Sequence, residues 1–379
     1  MARIFISAGE ASGDLHAARL MEELRRRAPE IGFTFLGGDR MAAAAGHAPL
    51  IHYKQMAFMA FSEVLRNLPT IGRNLTVAKK VIDSERPDAI ILVDYPGFNM
   101  KLAAHAAKRG IPVFYYIPPK VWAWKTYRVK ALKKYTSAIY CILPFEPEFY
   151  RSHGVETAVY SGNPSREEVD GKMATLCSRS EFIAAHNLTG RPMIALVPGS
   201  RVGEIRNNLP IMTAVAARHR DMQAVVAGAP GIDRSIYRRY TTLPVVDNET
   251  FELMAHSQVA LVTSGTASLE CALIGTPQVV LYRANGSRFS YNLFKKILKV
   301  SYVSLPNLIV DRGVVPEQLL HHCNVEEVDA ALAPLLDDGA PAREAQLAGY
   351  REMRGILGAG DMASTTAEEI IRRLSFNGG

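Results

Sequence analysis

The chain of 379 residues is 48% hydrophobic and 21% charged, a composition that excludes disordered and fibrous proteins and, at this length, predicts two globular domains. No apolar run approaches the about 20 residues of a membrane span, the first apolar stretch is too short for a signal peptide, and the four cysteines form no CxxC pair. We therefore expect a cytoplasmic protein without a zinc site or disulfide framework, and its formal net charge of +7 favours an anionic partner.

Short apolar runs alternate with longer segments of helical periodicity through the first half of the chain. Helices are predicted over residues 14–27 and from Gly97 to Lys108. The predicted strands of this half are residues 3–8, 33–36, 89–93, 113–117 and 138–143.

The same alternation restarts in the second half. A helix is predicted over about residues 209–218, and the segment from about Val325 onwards is expected to be helical. The predicted strands are residues 194–197, 223–227, 259–262 and 278–282. Such alternation predicts an α/β protein with two Rossmann-like, doubly wound parallel sheets in tandem, one in residues 1–165 and one in residues 166–379.

Four loops follow predicted strands at their carboxyl ends, where open parallel sheets bind ligands. The first loop is not GxGxxG, so the dinucleotide fingerprint is absent. In it, Gly9 and Gly13 allow a ligand to approach the backbone, and Glu10 can accept a hydrogen bond from a sugar hydroxyl. Gly9, Ser12 and Gly13 are therefore candidate acceptor-binding or active-site residues. The alternative for Ser12 or Asp14 is a helix N-cap.

The second loop begins with Asp94, directly after the apolar residues 89–93. Apolar surroundings raise the pKa of a carboxylate and suit it to general-base catalysis. The alternative is an Asx turn or an N-cap for the helix that follows.

The third loop combines Gly199 and Ser200, whose backbone can donate to a phosphate before a helix, with Arg201, whose guanidinium can bind two diphosphate oxygens. An ordinary surface arginine is the alternative.

The fourth loop places small residues at a helix start, where they can cradle a phosphate: Ser264, Gly265, Thr266 and Ser268. Glu270 lies one turn after Thr266 and can accept hydrogen bonds from both hydroxyls of a ribose. A capped core helix without a ligand is the alternative.

Basic residues are concentrated in two windows that contain no acidic residue, one between Asp94 and Glu146 and one between Glu270 and Asp311. They indicate a nucleotide, a phosphorylated substrate or a membrane surface, although a solvated basic face would look similar. No DNA- or RNA-binding motif accompanies them, so we expect no nucleic-acid partner.

Residues 56–75 are rich in Met and Phe at helical spacing, with arginines interspersed. They predict either a core helix or a helix that contacts acyl chains. Both tryptophans precede a basic cluster, which suggests anionic lipid. The candidate membrane or acyl contacts are Phe58, Met59, Phe61, Leu65, Leu68, Trp122 and Trp124.

Six collinear segments together resemble the lipid-A-disaccharide synthases, which are GT-B transferases of glycosyltransferase family 19. No single segment is specific, but the set spans most of the chain. The segments are SAGEASGD at 7–14, VDYPGFN at 93–99, PKVWAW at 119–124, PGSR at 198–201, SGTASLE at 264–270 and YVSLPNL at 302–308.

The resemblance implies two Rossmann-like domains with a cleft between them and an inverting transfer that uses no metal or other cofactor. The donor would be UDP-2,3-diacylglucosamine and the acceptor 2,3-diacylglucosamine 1-phosphate, giving the lipid A disaccharide 1-phosphate and UDP. The resemblance also implies a location at the inner-membrane surface and a homodimer.

The resemblance further implies roles for five of the candidate residues. Asp94 would deprotonate the acceptor 6-hydroxyl, with Glu10 positioning the acceptor or sharing that role. Arg201 would face the leaving diphosphate, Glu270 would hold the ribose, and Asn307 would belong to the active site.

Two rival functions fit parts of the pattern. One is another UDP-sugar enzyme of the GT-B type, such as a UDP-N-acetylglucosamine 2-epimerase or a peptidoglycan glycosyltransferase. The apolar segment and the tryptophans argue against the epimerase, because an epimerase has no need of a lipid surface. The other is an exported two-lobed binding protein, which a chain without a signal peptide does not favour.

Overall fold

A computed structural model describes residues 2–56, 68–123, 125–283 and 302–376. The chain forms two compact units, the first consisting of Met1–Pro164 and Ala359–Gly379 and the second of Ser165–Gly358. This division differs at the C-terminus from the predicted one, which assigned residues 166–379 to the second domain. The physical reason is the apolar face of the last helix, which is buried in the core of the first unit.

The first unit is built on a parallel sheet of seven strands within the described residues. Its strand order is β3-β2-β1-β4-β5-β6-β7. The strands are β1 Arg3–Ala8, β2 Gly32–Gly37, β3 Ile51–His52, β4 Ala89–Val93, β5 Val113–Tyr116, β6 Ala138–Cys141 and β7 Ala158–Tyr160.

Helices cover both faces of this sheet, and this is why every residue of β4 is buried. The helices are α1 Ala11–Arg27, α2 Asp39–Ala45, α3 Leu68–Glu85, α4 Pro96–Ala107, α5 Val129–Tyr135, α6 Glu146–Ser152 and, at the C-terminus, α16 Met362–Phe376. Helix α16 packs on the α1 side of the sheet, where Met362, Ala367 and Ile370 join the core. Arg27 of α1 also donates to the Ser364 hydroxyl at 2.7 Å.

The second unit contains a parallel sheet of six strands within the described residues. Its strand order is β10-β9-β8-β11-β12-β13. The strands are β8 Met193–Val197, β9 Gln223–Gly228, β10 Val245–Asp247, β11 Val259–Thr263, β12 Gln278–Tyr282 and β13 Glu317–Leu319.

Nine helices accompany this sheet in the described part of the chain, the first of which starts at the boundary between the units. They are α7 Pro164–Met173, α8 Arg179–Ala185, α9 Val202–Ala216, α10 Arg234–Arg238, α11 Thr250–Ala255, α12 Thr266–Ile274, α13 Leu305–Val310, α14 Val325–Leu332 and α15 Pro341–Leu357. None of the helices in the described ranges is long and apolar enough to span a membrane.

The predicted fold class is confirmed, since both sheets are parallel and doubly wound. All nine predicted strands are present, with ends that differ by at most two residues. Strands β3, β7, β10 and β13 were not predicted, because they are only two or three residues long and therefore carry little periodicity. Helix α1 begins three residues before its predicted start.

Candidate functional site

Each sheet has one point at which the chain reverses the direction in which it adds strands. In the first sheet this point lies between β1 and β4, where Ala8 pairs with Val93. In the second it lies between β8 and β11, where Val197 pairs with Val262. The crevice beyond such a point is where doubly wound sheets bind ligands. The four predicted loops therefore form two neighbouring pairs, one pair in each unit.

The backbone at Asp94 has an uncommon conformation for a residue with a side chain. Asp94 and Tyr95 have φ angles of +43° and +44°, in the left-handed region. The Asp94 carbonyl accepts hydrogen bonds from the Asn99 amide at 2.8 Å and from the Tyr115 hydroxyl at 2.9 Å. Such strained residues persist where surrounding contacts over-determine them, and functional sites are enriched in them.

Asn99 links the ends of β1 and β4. Its Nδ2 also donates to the Val93 carbonyl at 3.1 Å, and its Oδ1 accepts from the Ser7 hydroxyl at 2.7 Å. Asn99 and Ser7 are both fully buried. Ser7, Asn99 and Tyr115 were not predicted as site residues, because their hydrogen bonds join three segments of the chain that only the fold brings together.

The Asp94 side chain is half-buried at the edge of the sheet. Burial raises the pKa of its carboxyl group, against the opposing effects of a hydrogen bond from the Tyr95 backbone and of the Lys120 ammonium. A partly desolvated carboxylate on a fixed backbone can accept a proton from a hydroxyl placed against it.

The loop after β1 lies against Tyr95. A Cβ atom on Gly9 would lie 2.3 Å from the Tyr95 ring, so only glycine fits there. The Tyr95 hydroxyl donates to the Met56 carbonyl at 2.7 Å. Burial, with a smaller contribution from the Glu10 charge, raises the pKa of Tyr95. Glu10 is the N-cap residue of helix α1, and its side chain makes no capping hydrogen bond to that helix.

Asp14 is a cap, but of a different helix from the one that contains it. Its carboxylate accepts hydrogen bonds from the backbone of Gly38, Arg40 and Met41 at 2.6, 3.1 and 3.2 Å, at the start of α2. Gly13 packs against the end of β1, where an added Cβ would lie 3.4 Å from that of Ala8. Ser12 is exposed.

In the second unit, the loop after β8 is organised by Glu204. Its Oε2 accepts hydrogen bonds from the backbone of Ser200 and Arg201 at 3.1 and 3.3 Å. Gly199 has φ +109°, and a Cβ there would lie 2.4 Å from the Glu204 carboxylate. The Arg201 side chain is 81% exposed and contacts Glu204 Oε1 at 3.2 Å. The loop thus presents Arg201 to solvent while Glu204 occupies two of its backbone donors.

The loop after β11 leads into helix α12 at Gly265. Gly265 and Thr266 are exposed, so the first turn of this helix can donate to an anion. The Ser264 hydroxyl donates to the Val303 carbonyl at 3.4 Å. Ser268 does not fit its predicted role in nucleotide binding, because it is fully buried and its hydroxyl donates to the Gly265 carbonyl at 2.7 Å.

Glu270 lies one turn further along helix α12 and is half-buried. Burial raises the pKa of its carboxyl group, the Glu168 charge acts in the same direction, and the Lys172 ammonium opposes both. Its position leaves it able to accept hydrogen bonds from a ligand whose phosphate lies at the start of the helix.

Asn307, which is predicted to belong to the active site, is held by hydrogen bonds within its own loop. Its amide is buried and donates to the Val315 carbonyl and to Glu317, both at 2.9 Å. Its Oδ1 accepts from the backbone of Val314 and Val315 at 2.7 and 2.8 Å. These four hydrogen bonds use the donors and acceptors of the side chain, so Asn307 holds its own loop together.

Trp122 is buried, whereas a membrane contact requires an exposed side chain. The indole is 7% exposed, and it donates to the buried Glu146 carboxylate at 3.0 Å. Burial raises the pKa of Glu146 to about 7. Trp122 is therefore a core residue. The other predicted contacts, which are Phe58, Met59, Phe61, Leu65, the side chain of Leu68 and Trp124, lie outside the described residues.

No group of three His, Cys, Asp or Glu residues in the described ranges is arranged to hold a metal ion.

Comparison with known proteins identifies close sequence relatives. The family model described as LpxB, lipid-A-disaccharide synthetase, matches residues 4–366. A lipid-A-disaccharide synthase of Myxococcus xanthus (strain DK1622) is 40% identical over 381 residues, covering 98% of this chain and 97% of the relative. The enzyme of the same name from Geobacter sulfurreducens (strain ATCC 51573 / DSM 12127 / PCA) is 34% identical over 382 residues, covering 98% and 97%.

Solved structures share the architecture at much lower sequence identity. The UDP-GlcNAc 2-epimerase of Neisseria meningitidis bound to UDP-GlcNAc matches with a TM-score of 0.65 and 13% identity, covering 98% of this chain and 100% of that one. A kitacinnamycin glycotransferase matches with a TM-score of 0.61 and 16% identity, covering 98% of both chains. These structures place the chain in the GT-B fold of glycosyltransferases and epimerases, and at such identities they indicate the fold alone.

Proposed function

Because the chain belongs to the lipid-A-disaccharide synthetase family, and is thus a glycosyltransferase of lipid A biosynthesis, we propose the specific reaction that it catalyses. It transfers 2,3-diacylglucosamine from UDP-2,3-diacylglucosamine to the 6-hydroxyl of 2,3-diacylglucosamine 1-phosphate. The products are the β-1′,6-linked disaccharide 1-phosphate and UDP. The rival epimerase reaction is not favoured, because the epimerase likeness is one of fold at 13% identity.

The observation that carries this proposal is the half-buried Asp94 carboxylate at the strand-order reversal of the first sheet. The backbone contacts of Asn99 and Tyr115 fix its position, and burial raises its pKa towards that of a useful general base.

In the proposed reaction Asp94 takes the proton of the acceptor 6-hydroxyl. The oxygen attacks the anomeric carbon of the donor sugar from the face opposite the diphosphate. The new C–O bond forms as the bond to UDP breaks, so UDP leaves with that electron pair and the anomeric configuration is inverted. Glu10, in the loop after the neighbouring strand β1, accepts a hydrogen bond from the acceptor sugar and orients it.

The second unit supplies the nucleotide-binding groups in this proposal. Arg201 is exposed and offers a planar pair of donors to the diphosphate. The first turn of helix α12 adds backbone donors near Gly265 and Thr266. These groups meet the negative charge that develops on the leaving group, and Glu270 accepts from the ribose hydroxyls.

We also propose that the first unit contacts the anionic surface of the inner membrane. Helix α5 presents Lys130, Lys133 and Lys134 to solvent, and the adjacent Tyr127 is 68% exposed. Clustered lysines beside an exposed aromatic side chain attract anionic lipid. Co-sedimentation with phosphatidylglycerol vesicles tests this contact. The triple change of these lysines to Ala should reduce binding, and equal binding of both proteins would contradict it.

The reaction is tested by incubating the purified chain with UDP-2,3-diacylglucosamine and 2,3-diacylglucosamine 1-phosphate. Mass spectrometry should detect a disaccharide 1-phosphate formed in equal amount to UDP, and only when both substrates are present. An epimerase would instead convert UDP-N-acetylglucosamine without an acceptor. Absence of the disaccharide, with UDP-sugar consumed in some other way, would overturn the proposed reaction.

A further inference from the structure

The second unit has a cavity of about 800 Å³ that the proposed reaction does not use. It is formed by segments at the amino ends of β8, β9 and β10, which include Arg191, Gln223 and Pro244. The loops after β8 and β11 lie at the opposite, carboxyl edge of the same sheet. Strand β8 alone separates the two edges by about 15 Å, at about 3.3 Å per residue.

The side chains that line the cavity are strongly basic. Four arginines contribute, and no Asp or Glu is among the lining residues in the described part of the chain. The arginines are Arg191, Arg220, Arg238 and Arg239. Guanidinium groups clustered around one cavity create a positive potential that favours anions, and their planar forks suit phosphate oxygens.

Three of these arginines have no carboxylate partner within the described ranges. Neither Arg220 nor Arg239 forms an ion pair or side-chain hydrogen bond within the described ranges, and both are exposed. Arg238 interacts with the charge of Asp233. Arg191 donates to the Thr189 hydroxyl at 3.2 Å and to the Arg220 carbonyl at 2.9 Å, which holds its guanidinium at the cavity.

A largely buried amide and a buried hydroxyl also belong to the lining, and the hydroxyl is a second, independent indication of a ligand. Gln223 lines the cavity with only 8% of its surface exposed. Its Oε1 accepts from both the backbone and the hydroxyl of Thr189, each at 2.8 Å, which fixes the orientation of the amide. The Thr213 hydroxyl oxygen, in a residue that also lines the cavity, is buried and has no hydrogen-bond partner among the described residues. An unpartnered buried hydroxyl is costly, and a bound ligand that accepts its hydrogen bond would satisfy it.

The remaining lining favours an organic anion over a bare ion. Tyr240, Met222, Leu243 and Pro244 provide aromatic and apolar surface beside the arginines. The volume lies in the range of small-molecule sites, which are about 300–1,000 Å³. We propose that this cavity binds a small phosphate ester of mononucleotide size, at a site separate from the donor nucleotide.

The test is calorimetric titration of the full chain with adenosine 5′-monophosphate and, separately, with inorganic pyrophosphate. The double variant Arg220→Ser/Arg239→Ser should bind the mononucleotide about tenfold more weakly or worse. The matched control Arg351→Ser removes an exposed arginine of the same unit outside the cavity and should bind normally. Thermal unfolding of the variants verifies that they are folded.

Two further measurements distinguish a mononucleotide at this cavity from UDP at the donor site and from a lipid ligand. Arg201→Ala should leave mononucleotide binding intact, because Arg201 lies at the other edge of the sheet. Binding that is lost in Arg201→Ala but kept in the double variant would overturn the proposal in favour of the donor site. No saturable binding of either soluble probe would also overturn it, including the case in which phosphatidylglycerol vesicles bind through Arg220 and Arg239.

Discussion

The two pairs of strand-end loops share one topology but differ in the exposure of their polar groups. In the first unit, Ser7, Asn99 and Tyr115 are fully buried, and their hydrogen bonds fix the backbone around Asp94. In the second unit, Arg201 and Thr266 are exposed, and nearby backbone donors lie at the surface. A base requires a fixed position and reduced hydration, whereas an anion site requires donors that a ligand can reach.

This difference implies a division of labour, in which the first unit positions the base and the second binds the nucleotide, and substitutions can test it. Substitutions in the buried loops of the first unit should reduce turnover or stability with little effect on nucleotide affinity. Substitutions in the exposed loops of the second unit should reduce nucleotide affinity with little effect on stability.

The largest effect is expected for Asp94→Asn. The amide keeps the size of the side chain but cannot accept the proton, so kcat should fall by about 10²–10⁴-fold. Steady-state assays of UDP release measure this. Asp39→Asn, at a carboxylate that is 84% exposed in the same unit, is the matched control and should have normal turnover. A near-normal kcat of Asp94→Asn would show that Asp94 is not the general base.

A smaller loss is expected for Arg201→Ala. Removing a charged hydrogen-bond donor from a phosphate costs about 1.5–3 kcal/mol, so kcat/KM for the donor should fall roughly 10- to 100-fold. Arg201→Lys should recover only part of this, because lysine lacks the planar fork. Arg206→Ala, at an exposed arginine of helix α9, should be neutral. An equal loss at position 206 would indicate a general charge effect.

Asn99→Ala tests the buried network. It leaves the Ser7 hydroxyl and the Asp94 carbonyl each without one partner, which should lower the free energy of unfolding by about 1–3 kcal/mol. Denaturant titration measures the change. Affinity for UDP should be retained in the folded fraction, and a variant as stable as the parent would show that the network does not hold the loop.

The smallest effect concerns pH. Burial raises the pKa of Asp94, so the acid limb of kcat/KM should lie above the ordinary aspartate range of about 4. Lys120 opposes this shift, and Lys120→Met should therefore move the limb to higher pH, by less than about one unit. A limb that moves to lower pH, or remains in place, would indicate that another group titrates.

The sequence was most informative where one local pattern decides the structure. Residues 89–93 form an apolar run long enough to identify β4, and the polar residue after it marks the loop. Asp14 shows where local reasoning fails, because the helix that it caps begins 25 residues later. The side chains of Asn307 and Trp122 contain hydrogen-bonding groups and can serve either in ligand binding or in the protein interior. The sequence does not distinguish these two roles, whereas the tertiary hydrogen-bond partners do.

Glu204 was missed for a related reason. Its spacing of three from Arg201 is an ordinary helix-start pattern, and its occupation of the loop donors depends on the positive φ at Gly199. A backbone angle of that kind is not encoded in residue spacing, since glycine is compatible with many conformations.

The most direct test of the division of labour is the dissociation constant of UDP for Asp94→Asn and Arg201→Ala, measured side by side by calorimetry. Asp94→Asn should bind UDP as the parent does, although it turns over far more slowly. Arg201→Ala should bind UDP at least tenfold more weakly. Weakened UDP binding in Asp94→Asn together with unchanged binding in Arg201→Ala would show that the two units do not divide the roles in this way.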